Sequence, residues 1–473
     1  MKRGKAAGPD GVEAWKVLGD SGVNWLTQFF NRVTIEGKMP DDWRDSIIVP
    51  IFKQKGDASE CSNYRGIKLI SHTMKIYERL VDSRLREMVT ITQEQWGFMP
   101  ERSATDDIFI ARQVMEKYRE KRKPCYMAFL DLEKAYDRLP RAVLWKSLRG
   151  RGVPERLITV RRLESGGSAL SPFLFVLTLD CIVKLLEEGP LRTILYADDI
   201  ALVADSREEL EEKVRLWQVA LADNGLRLNV KKTKFISSEQ CTRPILDCQG
   251  EAIEKVEEFR YLGSDLSEEG SVDQAVRGRI NAAWLKWRES TGILCDRRCS
   301  RTLKGKLYRT VVRPALLYGS ECWALGKAQE RQLHAAEMRM LRWACGWTRR
   351  DRVRNEDVRA VMKTAPIQLK MREQRLRWYG HVLRRPEDHP TRLALDFEAP
   401  GKRPRGAPRK RWKDVIKKDL AELGATPDDT LDRIRWRWII ITADPATKRS
   451  GEEEEETCAR IAAAHFFCRH SSK

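Results

Sequence analysis

The pattern of apolar and polar residues predicts a chain that combines helices with a small sheet. Apolar positions three to four residues apart predict helices over residues 66–90, with Ser71 as the cap, and over residues 103–122. Four short apolar runs predict strands at 47–52, 125–130, 193–196 and 200–203. The last two runs are separated only by Ala-Asp-Asp, which predicts a hairpin with an acidic tip.

The second half of the pattern begins with one more predicted helix. Ser206 and Glu209 form a capping box, and Asn224-Gly225 ends the helix. Residues 226–230 alternate like a half-buried strand, and residues 259–263 predict a strand and a turn. Three later features follow: mainly helical pattern from 271, a Pro/Gly/Arg break at 400–408, and a helix over 411–423.

Positive charge is concentrated in the C-terminal half of the chain. The 473 residues carry a net charge of +19, and residues 271–420 contain 37 Lys and Arg against 16 Asp and Glu. A polyanion is attracted to such a segment, and its binding weakens as salt rises. Tryptophans lie between the arginines here, which favours nucleic acid over a merely soluble basic surface.

Composition also indicates where in the cell the protein is expected. No run reaches the roughly 18 apolar residues of a membrane span, and residues 1–15 contain no apolar segment typical of a secretory signal. The eleven cysteines are scattered, and their spacing fits no standard zinc module. We therefore expect an intracellular protein, nuclear or cytoplasmic, that does not bind membranes.

Three carboxylates carry the candidate chemistry. Asp131 ends one apolar strand, and Asp198 and Asp199 lie at the predicted hairpin tip. Charged groups at the ends of buried strands are costly unless they are paired or bound to metal. Three such carboxylates suit Mg²⁺ or Mn²⁺, and a pair of these ions can support an in-line attack by a 3′-hydroxyl on a triphosphate. By itself an Asp-Asp pair is more often a solvated turn, so the prediction depends on the surrounding motifs.

Those motifs resemble the reverse transcriptases of non-LTR, LINE-type retrotransposons. FLDLEKAYD (129–137) and YADD (196–199) resemble the two catalytic motifs, and GSALSPFLF (167–175) resembles the motif between them. Four further segments are similar to finger and palm motifs in the family's order: NYRGIKL (63–69), QWGFMPERSATDDI (95–108), GLRLNVKKTKFI (225–236) and FRYLGS (259–264). The similarity runs from about residue 5 to about residue 445.

The resemblance implies an α+β, right-hand polymerase fold. Its fingers, an antiparallel palm sheet and a thumb would be followed by a mainly helical basic region. The implied boundaries are 1–122 for fingers, 123–267 for palm, 268–345 for a thumb-like region, 346–442 for the basic region and 443–473 for an acidic, disordered tail. The reverse transcriptase domain as a whole would cover about 34–267.

The resemblance also assigns roles to individual residues. Asp131, Asp198 and Asp199 match the metal-binding catalytic carboxylates, and Tyr136 matches the aromatic residue that excludes a 2′-hydroxyl. Further matches imply contacts with the nucleotide or pyrophosphate at Lys53, Lys55, Arg65, Gly167, Lys232 and Lys234. Of these, Lys53 and Lys55 are alternatives for one role, as are Lys232 and Lys234. Without the motifs, Tyr136 would fit a core tyrosine equally well, and the lysines and Arg65 would fit a solvated surface.

The C-terminal segment resembles the thumb and basic tail of these elements. Tryptophans beside arginines suit stacking on bases and contact with phosphates. The expected nucleic-acid-binding residues are Arg377, Trp378, Arg403, Arg405, Arg409, Lys410, Arg411 and Trp412. For Trp284, Trp287 and Trp343 a place in a helical core is at least as consistent with the pattern.

Two departures from the family predict a damaged copy. Residues 165–168 are Ser-Gly-Gly-Ser where relatives carry Gln-Gly, so Gly166 stands in place of the glutamine. The interval from Asp131 to Gly167 is also shorter than usual, which predicts a missing hairpin and weak or absent activity. In addition, the resemblance leads us to expect a chain that lacks the endonuclease found ahead of the fingers in relatives, and a tail after residue 445 that is unlike the family.

These observations give one leading function and two alternatives. The leading prediction is an RNA-directed DNA polymerase that uses an RNA template, a DNA primer, deoxynucleoside triphosphates and divalent metal. The first alternative is a catalytically dead, retrotransposon-derived nucleic-acid-binding protein. The second is another palm-type enzyme such as a nucleotide cyclase, against which the finger motifs and the basic C-terminal half argue.

Overall fold

A computed structural model of the chain describes residues 9, 19–53, 56–161, 170–239, 243–406 and 409–441. It divides into two compact units. The first unit holds residues up to 107 together with 126–235 and 241–255. The second unit holds residues 108–125, 236–240 and 256 onward. This division differs from the five predicted regions, whose boundaries stay predictions.

The first unit combines eight helices of the described chain with most of its strands. The helices are α1 (Gly19–Glu36), α2 (His72–Met88), α3 (Ala104–Glu120, of which Ala104–Asp107 belong here), α4 (Ala135–Arg138), α5 (Arg141–Gly150), α6 (Glu155–Arg161), α7 (Ser171–Val183) and α8 (Arg207–Asp223). Helix α8 shows why the elements form where they do. The Ser206 hydroxyl accepts the backbone N–H of Glu209 at 3.1 Å and so caps the helix.

Two sheets contain the strands of the first unit. Strands β1 (Ile47–Phe52) and β2 (Tyr64–Leu69) form an antiparallel ribbon. The second sheet has the order β4-β5-β3-β6-β8-β7. Its strands are β3 (Tyr126–Leu130), β4 (Thr193–Tyr196), β5 (Asp199–Ala204), β6 (Lys234–Ser237, of which Ile236 and Ser237 belong to the second unit), β7 (Ile245–Leu246) and β8 (Ala252–Lys255). Strands β3, β4 and β5 pair antiparallel, whereas β6 and β8 pair parallel.

The central strands are fixed in place by apolar burial on both sides. Every residue of β3 is buried, and α7 is apolar around most of its circumference. One face of α8 buries Leu210, Val214 and Trp217 in the same core as Leu202 of β5. A strand buried in this way projects its polar end residues out of the core, which determines where the carboxylates lie.

The second unit is mainly helical. It contains one hairpin, β9 (Glu258–Tyr261) with β10 (Ser264–Ser267), and the larger part of α3. Its other helices are α9 (Asp273–Glu289), α10 (Thr291–Leu294), α11 (Arg301–Leu307), α12 (Arg313–Leu317), α13 (Lys327–Cys345), α14 (Asn355–Met362), α15 (Ile367–Leu383), α16 (Pro390–Asp396), α17 (Trp412–Leu423) and α18 (Arg433–Ile440). Two apolar clusters hold it together, one around Trp323 and one around Trp412.

The α+β class and most of the predicted elements are confirmed. Ser71 caps α2 as expected, but residues 66–69 belong to strand β2 and not to the helix. The strand predicted at 226–230 is wrong, because that stretch makes only an isolated bridge between Leu228 and Leu132. The predictions for 162–169 and 443–473 lie outside the described residues. Within the described ranges, none of the helices combines the length and apolar character needed to cross a membrane.

Candidate active site

The hairpin of β4 and β5 brings the three predicted catalytic carboxylates to one end of the sheet. Strand β5 pairs with β3 so that Ile200 lies opposite Leu130. The next residues in this register are Asp199 on β5 and Asp131, which follows β3. Asp198 is the neighbouring residue of the turn, where Tyr196 pairs with Asp199. Two strands remote in sequence therefore end side by side in carboxylates.

The charges of these carboxylates influence one another. Burial raises the pKa of Asp199 to about 6, and the negative charges of Asp198 and Asp131 contribute to the same shift. The pKa of Asp198 is raised by burial and by Asp131, although its own backbone N–H opposes the shift. Oδ2 of Asp131 is buried and lacks a hydrogen-bond partner within the described structure. The site is thus a concentration of negative charge, which the ammonium of Lys232, 3.4 Å from Oδ2 of Asp131, offsets in part.

The donor set suits a divalent cation in its chemistry. Carboxylate oxygens are the ligands that Mg²⁺ prefers, and a cation would offset the mutual repulsion of Asp131, Asp198 and Asp199. Among the described residues, however, no three His, Cys, Asp or Glu side chains already form a group arranged to hold a metal ion. The structure therefore shows the oxygen donors at one end of the sheet without a preformed metal cage.

The turn that carries the aspartates is held by the segment 94–97. Leu195 of β4 accepts the N–H of Trp96 at 2.7 Å and donates its own to Glu94 at 3.0 Å. The buried side chain of Gln95 accepts the N–H of Ala197 at 2.8 Å through Oε1. Ala197 has a φ of 56°, a left-handed conformation that costs free energy for a residue with a Cβ. Gln95 supports this turn, and the sequence analysis assigned it no role.

Two further residues of the QWGFMPERSATDDI motif lie close to the turn. A Cβ atom on Gly97 would lie 2.4 Å from the backbone nitrogen of Ala197, so only glycine fits. Asp107 is completely buried, and neither of its carboxylate oxygens has a hydrogen-bond partner in the described residues. Burial raises the pKa of Asp107 well above its usual range, with Asp106 and Asp199 adding to the shift. In the sequence, only their place in this motif indicated that Gly97 and Asp107 lie near the active site.

The structure distinguishes between the two candidate lysines. Nζ of Lys232 lies 3.4 Å from Oδ2 of Asp131, whereas Nζ of Lys234 is 2.6 Å from Glu254. The loop that carries Lys232 is tied to the end of β3, because Asn229 donates its N–H to the carbonyl of Asp131 at 2.7 Å. Thr233 also accepts the N–H of Asp131 at 3.3 Å. Only Lys232 is therefore a neighbour of the carboxylates.

Tyr136 is part of the same site. It lies on α4, and its ring centroid is 4.7 Å from that of Phe175 on α7. Its side chain remains 41% exposed, so it is not the core tyrosine that composition alone allows. Burial raises the pKa of its hydroxyl, and the charges of Asp198 and Asp199 add to the shift. The ring thus stands beside the carboxylates with one side open.

The predicted phosphate contacts lie on or beside the β1–β2 ribbon. Arg65 is exposed and pairs across the ribbon with Ile51, and Lys53 directly follows β1. The backbone N–H of Lys53 donates to Asn63 at 2.8 Å. Lys55 and Gly167 lie outside the described residues. Nothing in the described contacts joins Lys53 or Arg65 to the carboxylates, so their roles stay predictions.

The predicted stacking role of Trp378 and Trp412 is wrong. Trp412 is fully buried and Trp378 is 9% exposed, and both pack edge-on against Phe109. Trp412 also donates its indole N–H to the carbonyl of Glu321 at 2.7 Å. Because both rings are enclosed by the core of the second unit, neither offers a face to a base.

The basic residues expected to bind nucleic acid fall into two groups. Arg403 and Arg405 are both exposed, and Arg409 lies 3.9 Å from Glu269. Together with Arg119, Arg122 and Lys123 these three arginines line a cavity of about 750 Å³ in the second unit. The other group is engaged within the protein: Lys410 donates to the carbonyl of Leu325, Arg411 pairs with Asp414, and Arg377 pairs with Glu373.

Comparison with known proteins finds a family match for the central part of the chain. Residues 52–266 match the family model "Reverse transcriptase (RNA-dependent DNA polymerase)". The RNA-directed DNA polymerase of the mobile element jockey from Drosophila funebris is 23% identical over 486 residues, covering 92% of this chain and 51% of the relative. A transposon-derived protein of Caenorhabditis elegans is 25% identical over 268 residues, covering 53% of this chain and 95% of the relative.

Other similar proteins include a second retrotransposon type and solved telomerase structures. The polyprotein of the type-1 element R2 from Nasonia vitripennis is 24% identical, covering 48% of this chain and 25% of the relative. The chain thus spans about half the jockey polymerase and a quarter of the R2 polyprotein. The apo telomerase of Candida tropicalis is 12% identical with a TM-score of 0.39, covering 89% of this chain and 73% of that one. Residues 52–266 are therefore similar to a reverse transcriptase domain, and the similar proteins include an RNA-directed DNA polymerase of the element jockey and the polyprotein of an R2 element.

Proposed function

We propose that this chain is an RNA-directed DNA polymerase whose nucleotidyl transfer depends on Asp131, Asp198 and Asp199. The observation that carries the proposal is the register of β3 and β5, which ends both strands in carboxylates at one end of the sheet. The domain match over residues 52–266 supports the same activity. The substrates would be an RNA template, a DNA primer and deoxynucleoside triphosphates.

The three carboxylates would hold the divalent ions, Mg²⁺ or Mn²⁺, on which this chemistry depends. Bound ions of this kind activate a primer 3′-hydroxyl and offset the charge that develops on pyrophosphate. The protein contributes the acceptor oxygens and keeps them at the end of a buried sheet. Most of the catalysis in phosphoryl transfer comes from such positioning and charge compensation.

The other residues of the site would act on the nucleotide. Lys232, at 3.4 Å from Asp131, carries three N–H donors and is proposed to protonate the leaving pyrophosphate. The open side of Tyr136 would lie under the sugar and exclude a 2′-hydroxyl by bulk. Lys53 and Arg65 on the β1–β2 ribbon would hold the triphosphate, because a guanidinium can donate two hydrogen bonds to one phosphate. Gly167 and Lys55 keep the roles that the resemblance implies.

The alternative functions have less support. A nucleotide cyclase would also need paired aspartates, but the match covers a reverse transcriptase domain. A nucleic-acid-binding protein without activity would not need Gln95, Gly97 and the Asp198–Asp199 turn to be arranged around Ala197. Arg403, Arg405 and Arg409 are proposed to contact backbone phosphates under either function.

Primer extension on an RNA template tests the proposal. We expect weak Mg²⁺-dependent incorporation of deoxynucleotides by the purified chain, because the copy is predicted to be damaged, and Asp198→Asn should abolish it. The matched control is Asp205→Asn, because Asp205 follows the opposite end of β5 and pairs with Arg192. The control should retain most of the activity. Synthesis that survives Asp198→Asn, or that is lost equally in both variants, would contradict the proposal.

A further inference from the structure

A cluster of tryptophans on the second unit divides into a buried member and exposed members. Trp287 is 6% exposed and belongs to the core formed by α9, α13 and their neighbours. Trp343, on α13, is 45% exposed. Trp284 is half-buried between them, with ring centroids 5.7 Å from Trp287 and 5.2 Å from Trp343. Trp287 therefore has a structural role, whereas the indole of Trp343 is held by aromatic neighbours and still faces outward.

Arginine side chains are already positioned over these rings. The guanidinium of Arg339 lies 4.6 Å from the ring centroid of Trp343 and 5.6 Å from that of Trp284. Trp347 follows Trp343 by four residues, and the guanidinium of Arg301 lies 4.7 Å from its ring centroid. Both arginines are exposed, and in the described part of the chain neither forms an ion pair with a carboxylate. Their guanidinium groups thus lie against the aromatic rings, and no carboxylate among the described residues neutralises them.

The surface has a mixed chemistry that restricts its ligand. A group of aromatic rings at the surface with charged residues around it is typical of an interaction site. A purely apolar ligand would leave the arginine charges unpaired. An acidic peptide would pair with the arginines but would provide no planar ring to stack on the indole. Unpaired nucleobases satisfy both requirements, because a base can stack on an indole or a guanidinium while its phosphate meets a positive charge.

We propose that Trp343 and Arg339, with Trp284, Trp347 and Arg301 beside them, form a stacking site for unpaired bases of single-stranded nucleic acid. This site goes beyond the proposed catalytic function and does not depend on it, because no carboxylate of the active site takes part. It also differs from the cavity lined by Arg403 and Arg405, which offers phosphate contacts without an exposed aromatic ring. Stacking of this type distinguishes single strands from duplexes, in which the bases already stack on each other.

Binding measurements without catalysis test this site. The full-length chain, in EDTA and without nucleotides, is titrated into labelled 12-residue oligothymidylate, oligouridylate and an abasic strand of equal length. Trp343→Ala should weaken binding of both base-containing strands about fivefold to 150-fold, the range for loss of a stacked base. Binding of the abasic strand should stay within twofold. The ratio of the affinities for oligothymidylate and oligouridylate shows whether the site prefers DNA or RNA.

Trp438→Ala is the matched control. Trp438 is also 45% exposed, lies in the same unit directly after Arg437, and has no cation–π contact in the described structure. Its loss should leave all three affinities within twofold. Arg339→Gln provides a second test that leaves the indole cluster intact, and it should weaken binding and reduce its salt dependence. Circular dichroism confirms that each variant is folded.

Photochemical crosslinking locates the contact directly. An oligonucleotide that carries 5-iododeoxyuridine should crosslink to the peptide containing Trp343, since this base reacts with aromatic rings on which it stacks. Equal weakening by Trp343→Ala and Trp438→Ala, equal effects on abasic and base-containing strands, or crosslinks confined to other peptides would each overturn the proposal. Because this binding is measured in EDTA and without nucleotides, failure of the stacking site and failure of the polymerase proposal are separate results.

Discussion

Oε1 of Gln95 accepts a hydrogen bond of 2.8 Å from the backbone nitrogen of Ala197, the residue before the Asp198–Asp199 pair. The same oxygen accepts the N–H of Gly97 at 2.9 Å. One buried amide thus links the finger motif to the turn that carries two of the carboxylates. The link fixes the left-handed backbone at Ala197, and this conformation sets the direction of the aspartates.

Replacing Gln95 by methionine keeps the volume and removes both hydrogen bonds. We expect the free energy of unfolding to fall by about 1–3 kcal/mol, because two buried N–H groups lose their acceptor. The rate of primer extension should fall at least tenfold beyond the loss that follows from the smaller fraction of folded protein. The control is Gln218→Met, because Gln218 accepts the N–H of Cys248 at 2.9 Å in a loop remote from the carboxylates. If both variants lose stability and activity in the same proportion, Gln95 has only a structural role.

Gly97→Ala should disturb the same turn by steric conflict. The added Cβ would lie 2.4 Å from the nitrogen of Ala197, and a backbone atom cannot move away cheaply. Overpacking of this kind costs about 1–3 kcal/mol, and we expect activity to be lost as the aspartates shift. Gly150→Ala is the control, because a Cβ added there would meet nothing within 4 Å. A Gly97→Ala enzyme with normal kcat would show that the turn tolerates displacement.

Lys232 and Lys234 provide a paired comparison. Lys232→Gln removes the cation beside Asp131 and should lower kcat about a hundredfold, the lower end for loss of a general acid. Lys234→Gln removes only a pair with Glu254 and should change kcat less than twofold. Single-turnover primer extension separates this effect from nucleotide binding. Equal losses in the two variants would argue against a specific role for Lys232.

The raised pKa of Asp199 predicts a pH-dependent gain in stability for Asp199→Asn. Protonation of Asp199 is easier in the folded state, with a pKa of about 6 against 3.8, so its ionisation opposes folding. The gain should be absent below about pH 4, grow between pH 4 and 6, and stay constant above pH 6. Since Asp199 is partly exposed, the gain in the free energy of unfolding should be on the order of 1 kcal/mol. Thermal melts without metal measure it, and equal melting temperatures at pH 7.5 would contradict the prediction.

Added Mg²⁺ extends the same experiment. The ion should raise the melting temperature of the unaltered chain more than that of Asp199→Asn, because the variant offers one ionised ligand fewer. Calcium serves as a comparison cation that binds oxygen ligands with less demanding geometry. Activity of the variant should be lost at every pH.

Gly166→Gln tests the predicted weakness of this copy. The resemblance implies a glutamine at this position of the motif between the catalytic segments, so Gly166→Gln should restore a contact to the incoming nucleotide. We expect KM for deoxynucleotides to fall severalfold in primer extension. Ser168→Gln, two positions further along, is the control and should bring no gain. Unchanged kinetics in Gly166→Gln would show that the glycine is not what limits activity.

Much of the fold was predictable because local rules decided it. The strands at 126–130, 193–196 and 199–204 and the helix capped by Ser206 follow from apolar spacing and capping residues. The error at 66–69 has a local cause as well. Ile67 and Leu69 fit a helical stripe continuous with α2, but pairing with β1 placed them in a strand. Cross-strand partners distant in sequence override such a preference.

The sequence by itself determined the chemistry: three carboxylates, their spacing within recognisable motifs, and an excess of positive charge after residue 271. Only the tertiary structure decided which side chains are neighbours. It selected Lys232 over Lys234, enclosed Trp412 while leaving Trp343 exposed, and brought Gln95 to Ala197 across 102 residues of chain. Apolar periodicity specifies which face of an element is buried, but it does not specify the partner. That choice depends on packing between distant segments, which no local pattern contains.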